Sequence, residues 1–120
     1  MLSTARALQK FWAGFGLPAY SEGSVPDDAE LPYITYSLPA TEGPNPATHY
    51  AKIYYHDTGN AAVIAKADEV LAAIGAGGAN VGHKLRIYLQ NPPAQIITET
   101  DTVRYAYINL QINSNHMPGA

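Results

Sequence analysis

Ala5, Leu8, Trp12 and Phe15 return every three or four positions near the start of the chain, the spacing of one face of a helix. Ser3 or Thr4 is placed to cap that helix, and Gly14, Gly16 and Pro18 end it at about Phe15. A polar stretch punctuated by Gly23 and Pro26 follows, and then the period changes to two. Over 33–38, Ile34, Tyr36 and Leu38 share one face of a strand, and Tyr33, Thr35 and Ser37 share the other. The segment 39–46, PATEGPNP, contains three prolines, each without a backbone donor, and reads as a long loop. A second strand is predicted over 49–56. Asp57, Thr58 and Asn60 then offer caps for a second helix running to Gly75. Val63, Ala67, Val70 and Ile74 form its apolar face, with Ile64 and Leu71 flanking them.

After Gly75-Ala76-Gly77-Gly78 the alternation resumes, with Leu85, Ile87 and Leu89 set against Lys84, Arg86, Tyr88 and Gln90. Asn91-Pro92-Pro93 breaks that run, and 94–98 reads as a weaker strand. In the last strand, 103–113, Ala106, Ile108, Leu110 and Ile112 alternate with Tyr105, Tyr107, Asn109 and Gln111. The predicted order is α-β-β-α-β-β-β. Strands joined by turns imply an α+β domain: two helices packed on one face of a mostly antiparallel sheet of four to five strands. That single domain is predicted to span 1–113, with 114–120 a flexible tail.

Composition narrows the classes of function. Only 14% of the 120 residues are charged, against about 25% in ordinary soluble domains, while nine are tyrosines. Tyrosine offers large contact area at little rotamer entropy, so such a surface suits a subunit of an assembly. The net charge is −3, and no run of Lys or Arg is available to neutralise successive phosphates. Without cysteine, disulfides, thiolate nucleophiles and Cys-type zinc sites are excluded. There is no run of about 18 apolar residues, and no membrane partner is expected.

The segment between Ala7 and Tyr36 carries a family resemblance. Ala7-Leu8-Gln9, Phe11-Trp12, Gly16-Leu17-Pro18-Ala19-Tyr20, Val25-Pro26-Asp27 and Leu31-Pro32-Tyr33-Ile34-Thr35-Tyr36 occur in that order. They resemble the N-terminal part of tail terminator proteins of long-tailed, siphovirus-like bacteriophages and prophages. The match covers roughly the first third of the chain; the remainder agrees in length and element order. The resemblance implies a structural virion protein assembled in the host cytoplasm and located in the tail or neck. It implies a homo-oligomeric ring, a hexamer in that family, which caps the tail tube, meets a head-completion (neck) protein, and passes DNA through its lumen. A mildly negative ring would not retain a polyanion moving through it. The candidate assembly contacts are Thr41, Glu42 and Asn45 in the long loop, and Tyr88, Tyr105, Tyr107 and Gln111 on the outward sheet face.

No residue pattern points to catalysis, and no enzyme activity, cofactor or metal is expected. The glycine cluster at 75–78 follows a helix and precedes a strand, the reverse of a phosphate-binding loop, and reads as a helix stop. His49 and His56 would lie on opposite faces of one strand, and no histidine pair has metalloprotease spacing; all four histidines are expected at the surface. Asp27-Asp28-Glu30 and Asp68-Glu69 read as solvated acids, since acid–base catalysis needs a pocket that fixes carboxylate separation. The rival readings are another neck component, such as a connector or stopper, and a small ligand-binding α+β domain.

Overall fold

Leu8 and Trp12, one turn apart, are fully buried beneath the first helix, α1 (Leu2–Ala13). The computed structural model describes residues 2–38, 47–82 and 85–114. The predicted loop 39–46 and all of the predicted tail after Ser114 therefore lie outside the described residues. α1 begins at Leu2, so Thr4 lies inside it and is buried; neither Ser3 nor Thr4 is the cap the sequence suggested. It also stops two residues early, where Gly14 N–H bonds Phe11 O at 3.1 Å. Phe15 stays in the core from the turn that follows, packed edge-on against Phe11.

The next strands are β1 (Ala19–Ser21) and β2 (Tyr33–Tyr36), which run parallel, and β3 (Ala47–His56), antiparallel to β2. α2 (Ala61–Ile74) follows, with Val63, Ala67, Val70 and Ile74 buried as their spacing predicts. Asn60 precedes it without a side-chain capping bond, and Asp57 instead accepts the Gly59 N–H at 3.2 Å. Gly75, at φ 73°, ends α2 by donating its N–H to Leu71 O at 2.8 Å, so the glycine cluster opens as the expected helix stop. Gly78 has a stricter reason. Its φ is 86°, and a Cβ there would fall 2.6 Å from Ile87 O and 2.7 Å from the Tyr88 ring.

β4 (Ala79–Val81), β5 (Leu85–Thr100) and β6 (Val103–Ser114) complete the sheet. The expected break at Asn91-Pro92-Pro93 is a register shift between Leu89 and Ala94 inside one long strand, β5. A bulge tolerates residues that cannot donate to the ladder. The six strands lie in the order β1-β2-β3-β6-β5-β4. The sheet thus has six strands rather than four or five and includes one parallel pair, while its other four pairings are antiparallel as expected; β1 and β4, three residues each, are the additions.

Both helices pack on the same face, which gives an α+β fold. α2 lies under β3, β5 and β6. α1 touches β1 and β2 at one edge and β4 at the other, so the sheet curls around it. The strand register assembles the core from the sheet side. Ile34 pairs with Ile53 and Ile53 with Ala106, across β2, β3 and β6, while Ile87 of β5 pairs with Ile112; all five are buried.

Candidate tyrosine face

Among the described residues, no helix covers the opposite face of the sheet. Period-two alternation that buries Ala51 and Ile53 turns Tyr50, Lys52 and Tyr54 of β3 to this side, as burying Ala106, Ile108 and Leu110 turns out Tyr105, Tyr107, Asn109 and Gln111 of β6. The strand register then aligns the rings. Tyr33 pairs with Tyr54, and Tyr54 with Tyr105. With Tyr20 of β1 they form a row over four strands, at centroid separations of 5.7, 5.4 and 4.9 Å. Tyr50 and Tyr107 make a second pair, stacked at 5.3 Å and 14°. Such cross-strand aromatic pairs each contribute about 0.5–1.5 kcal/mol beyond area burial, and here they pack one another into a half-buried, rigid layer.

The Lys52 ammonium lies within this layer, 5.8 Å from the Tyr50 centroid and 5.6 Å from that of Tyr105. Both distances are within cation–π range. Tyr50 O–H donates to the Glu22 carboxylate, which enters from the turn after β1. Farther along β5, Arg86 stands over Tyr88 at 5.7 Å while donating to Asn80 and to the carbonyls of Gly77 and Gly78. Gln90 donates to Gln111, which donates to Asn113 at 3.0 Å, forming an amide chain across β5 and β6. An open cleft of about 600 Å³ lies at the β1–β3 end; Tyr33, Thr35, Lys52 and Tyr54 contribute to it, as do Glu22 and Glu99.

Of the candidate contacts, Tyr105, Tyr107 and Gln111 lie together on β6, facing away from the helices as their alternation predicts. Tyr88 shares that face near β4 but stands apart from the aromatic row. Thr41, Glu42 and Asn45 fall outside the described residues. Sequence reasoning missed Tyr20, Tyr33, Tyr50, Lys52 and Tyr54. The signal for three of these was the alternation Tyr50-Ala51-Lys52-Ile53-Tyr54 itself, which fixes the face of each once Ile53 is placed in the core.

His49 corrects another expectation: it is buried at 0% exposure, on the helix side of β3. Trp12 Nε1–H donates to His49 Nε2 at 3.1 Å, which leaves the ring proton on Nδ1, 2.9 Å from Ser37 Oγ. Ser37 Oγ also accepts the Tyr50 N–H at 3.0 Å. A histidine serves here as a neutral, satisfied core residue, with its two nitrogens in opposite roles. His56 is exposed at the end of β3; His83 and His116 lie outside the described residues. Asp27, Asp28, Glu30, Asp68 and Glu69 are all exposed, and Glu69 pairs with Lys66 at 3.0 Å.

Three hydroxyls of the face are held protonated. The hydrogen bond to Glu22, followed by burial and the Glu22 charge, pushes Tyr50 up to about 12. Burial, followed by the Glu99 charge and the adjacent tyrosines, pushes Tyr54 up to about 12. Burial also raises Tyr107, with Glu22 adding to it. Because these folded values exceed the unfolded value of 10.0, the associated stability is full below about pH 10 and is lost as pH rises toward about 12. In an alkaline titration read by tyrosinate absorbance, a late-ionising group should appear in the native protein and vanish in urea. Nine tyrosines titrating together near their ordinary value would refute this account of the face.

Comparison with protein-family models, curated proteins and solved structures finds no match to this chain.

Proposed function

We propose that this chain is a structural subunit of a bacteriophage tail, a tail terminator whose copies close into a ring at the end of the tail tube. The observation that carries the reading is the sheet face that no described helix covers, where six tyrosines from four strands pack ring against ring. Rigid tyrosine surface with few charges is what protein interfaces favour. The resemblance between Ala7 and Tyr36 supplies the kind of assembly: a hexameric ring that joins the tube to the head-completion protein. On this reading DNA passes the ring without being held, because the described cations are few and form no extended row: Lys52 sits among tyrosine rings in a cleft that Glu22 and Glu99 also line, and Arg6 and Lys10 lie apart on α1.

Sedimentation of the purified protein, alone and with its tail tube protein, is the test. A discrete ring, or a concentration-dependent equilibrium between monomer and ring, is the expected result. A monomer under both conditions removes the proposal. A second reading, a small-ligand-binding domain, is favoured by the cleft where Thr35, Lys52, Glu22 and Glu99 converge. A protein that stays monomeric, yet melts at a higher temperature in the presence of a small polar ligand, would select that reading over this one.

A further inference from the structure

The surface charge is divided between the two sides of the same strands. α1 contains Arg6 and Lys10 and no acidic residue. The two are exposed, one turn apart, and neither has a hydrogen bond or ion pair among the described residues. The other described cations are engaged: Lys52 by tyrosine rings, Lys66 by Glu69 and Phe15 O, Arg86 by Asn80, and Arg104 by the carbonyls of Thr100 and Thr58. On the opposite face of β2 and β3, which α1 touches through its β2 contacts and through Trp12 against His49, the cleft is bordered by Glu22 and Glu99. A basic helix therefore lies behind the strands that carry an acidic, aromatic cleft in front.

We infer that this cleft receives the exposed side of α1 from a second copy of the chain, with Arg6 and Lys10 directed at Glu22 and Glu99. This deepens the ring reading and rests on it. Three features select the occupant. The charges are opposite and both sets are exposed: Glu22 keeps a second carboxylate oxygen besides the one that accepts the Tyr50 O–H, and the two acids outnumber the one cation, Lys52, that lines the cleft. The rings of Tyr33 and Tyr54 add π faces to the carboxylates, and the same layer already holds one cation in Lys52. The two surfaces point in opposite directions from the same strands, so stacking one copy behind another brings them together. That is a heterologous, head-to-tail contact, the kind that closes into a ring when successive rotations add to a full turn.

Charge reversal tests the contact. R6E/K10E and E22K/E99K are each made in the full chain, as is the quadruple variant carrying both reversals. Near-ultraviolet circular dichroism and Trp12 fluorescence report whether each folds. Assembly is read by light scattering across salt concentrations, alone and with the tail tube protein. Each double variant should assemble at least about tenfold more weakly than the natural chain at low salt, and the deficit should narrow as salt screens the charges. The quadruple variant and an equimolar mixture of the two double variants should both recover assembly, since each restores opposite charges at contacts between copies. If the natural chain forms a ring and the folded double variants assemble equally well, the contact is overturned while the ring stands. Failure of the quadruple variant to recover, with its fold intact, overturns it as well. A natural chain that remains monomeric even with the tube protein removes both the contact and the ring.

Discussion

Trp12→Ala should lower the unfolding free energy by about 3–5 kcal/mol, the range for removing a large aromatic side chain from a core. Trp12 has no exposed surface, makes an edge contact with Phe11 at 5.0 Å, and packs beside Phe15 and His49. Its loss opens a cavity where α1 meets the sheet and also leaves His49 Nε2 without its donor. Two costs therefore coincide, cavity and unsatisfied polar atom. A domain of this size has a total stability of the order of 5–15 kcal/mol, so the variant should be largely unfolded or melt at a much lower temperature. Trp12→Phe keeps most of the ring volume and removes only the N–H, and should fall between the two. Urea denaturation of all three proteins is decisive. A Trp12→Ala protein as stable as the natural chain would mean that α1 does not seat as described.

Acid should attack the same place from the other side. Burial lowers His49 from the ordinary 6.5 to about 4, against a hydrogen bond with the Ser37 backbone that pulls upward. Protonation would also place a new N–H at Nε2, facing the Trp12 N–H with no acceptor between them. Because the folded value lies below the unfolded one, the unfolded chain takes up the proton first as pH falls. The stabilising contribution is fully present above about pH 6.5 and is lost as pH falls through the window down to about 4. A shift of that size corresponds to about 3 kcal/mol. Denaturation at about pH 7 and about pH 4 should reveal this loss, and His49→Gln, which has both a donor and an acceptor but does not titrate in this range, should show a smaller pH dependence. Equal acid sensitivity in the two proteins would assign the effect to other groups.

The residues differ in how much of this was readable beforehand. The apolar positions of α2 and the alternation of β6 are long, regular patterns, and both predicted the buried faces. β1 and β4 have only three residues each, too few for a period to emerge, and exist because neighbouring strands supply their partners. Pro92 and Pro93 obscured β5 because prolines signal a break locally, whereas the bulge accommodates them within the paired strand. His49 was misplaced for a related reason. Its partner Trp12 is 37 residues away, so nothing nearby in sequence distinguishes a satisfied histidine from an exposed one. The tyrosine face was half legible: alternation gives the side on which a ring lies, but only register determines which rings meet.

The curl of the sheet around α1 has a consequence for how the chain is made. α1 packs against β1 and β2, which follow it closely, and also against β4, which lies far downstream. Its apolar stripe of Leu8 and Trp12 emerges from the ribosome well before Val81 and Leu85, members of the same core, have been synthesised. At translation rates of about 5–20 residues per second, that delay lasts on the order of several seconds. During it, β1 and β2 can cover only one side of the helix. The far edge must arrive before the sheet can close around α1, so a helix synthesised before every strand of its sheet is among the last elements to be fully enclosed.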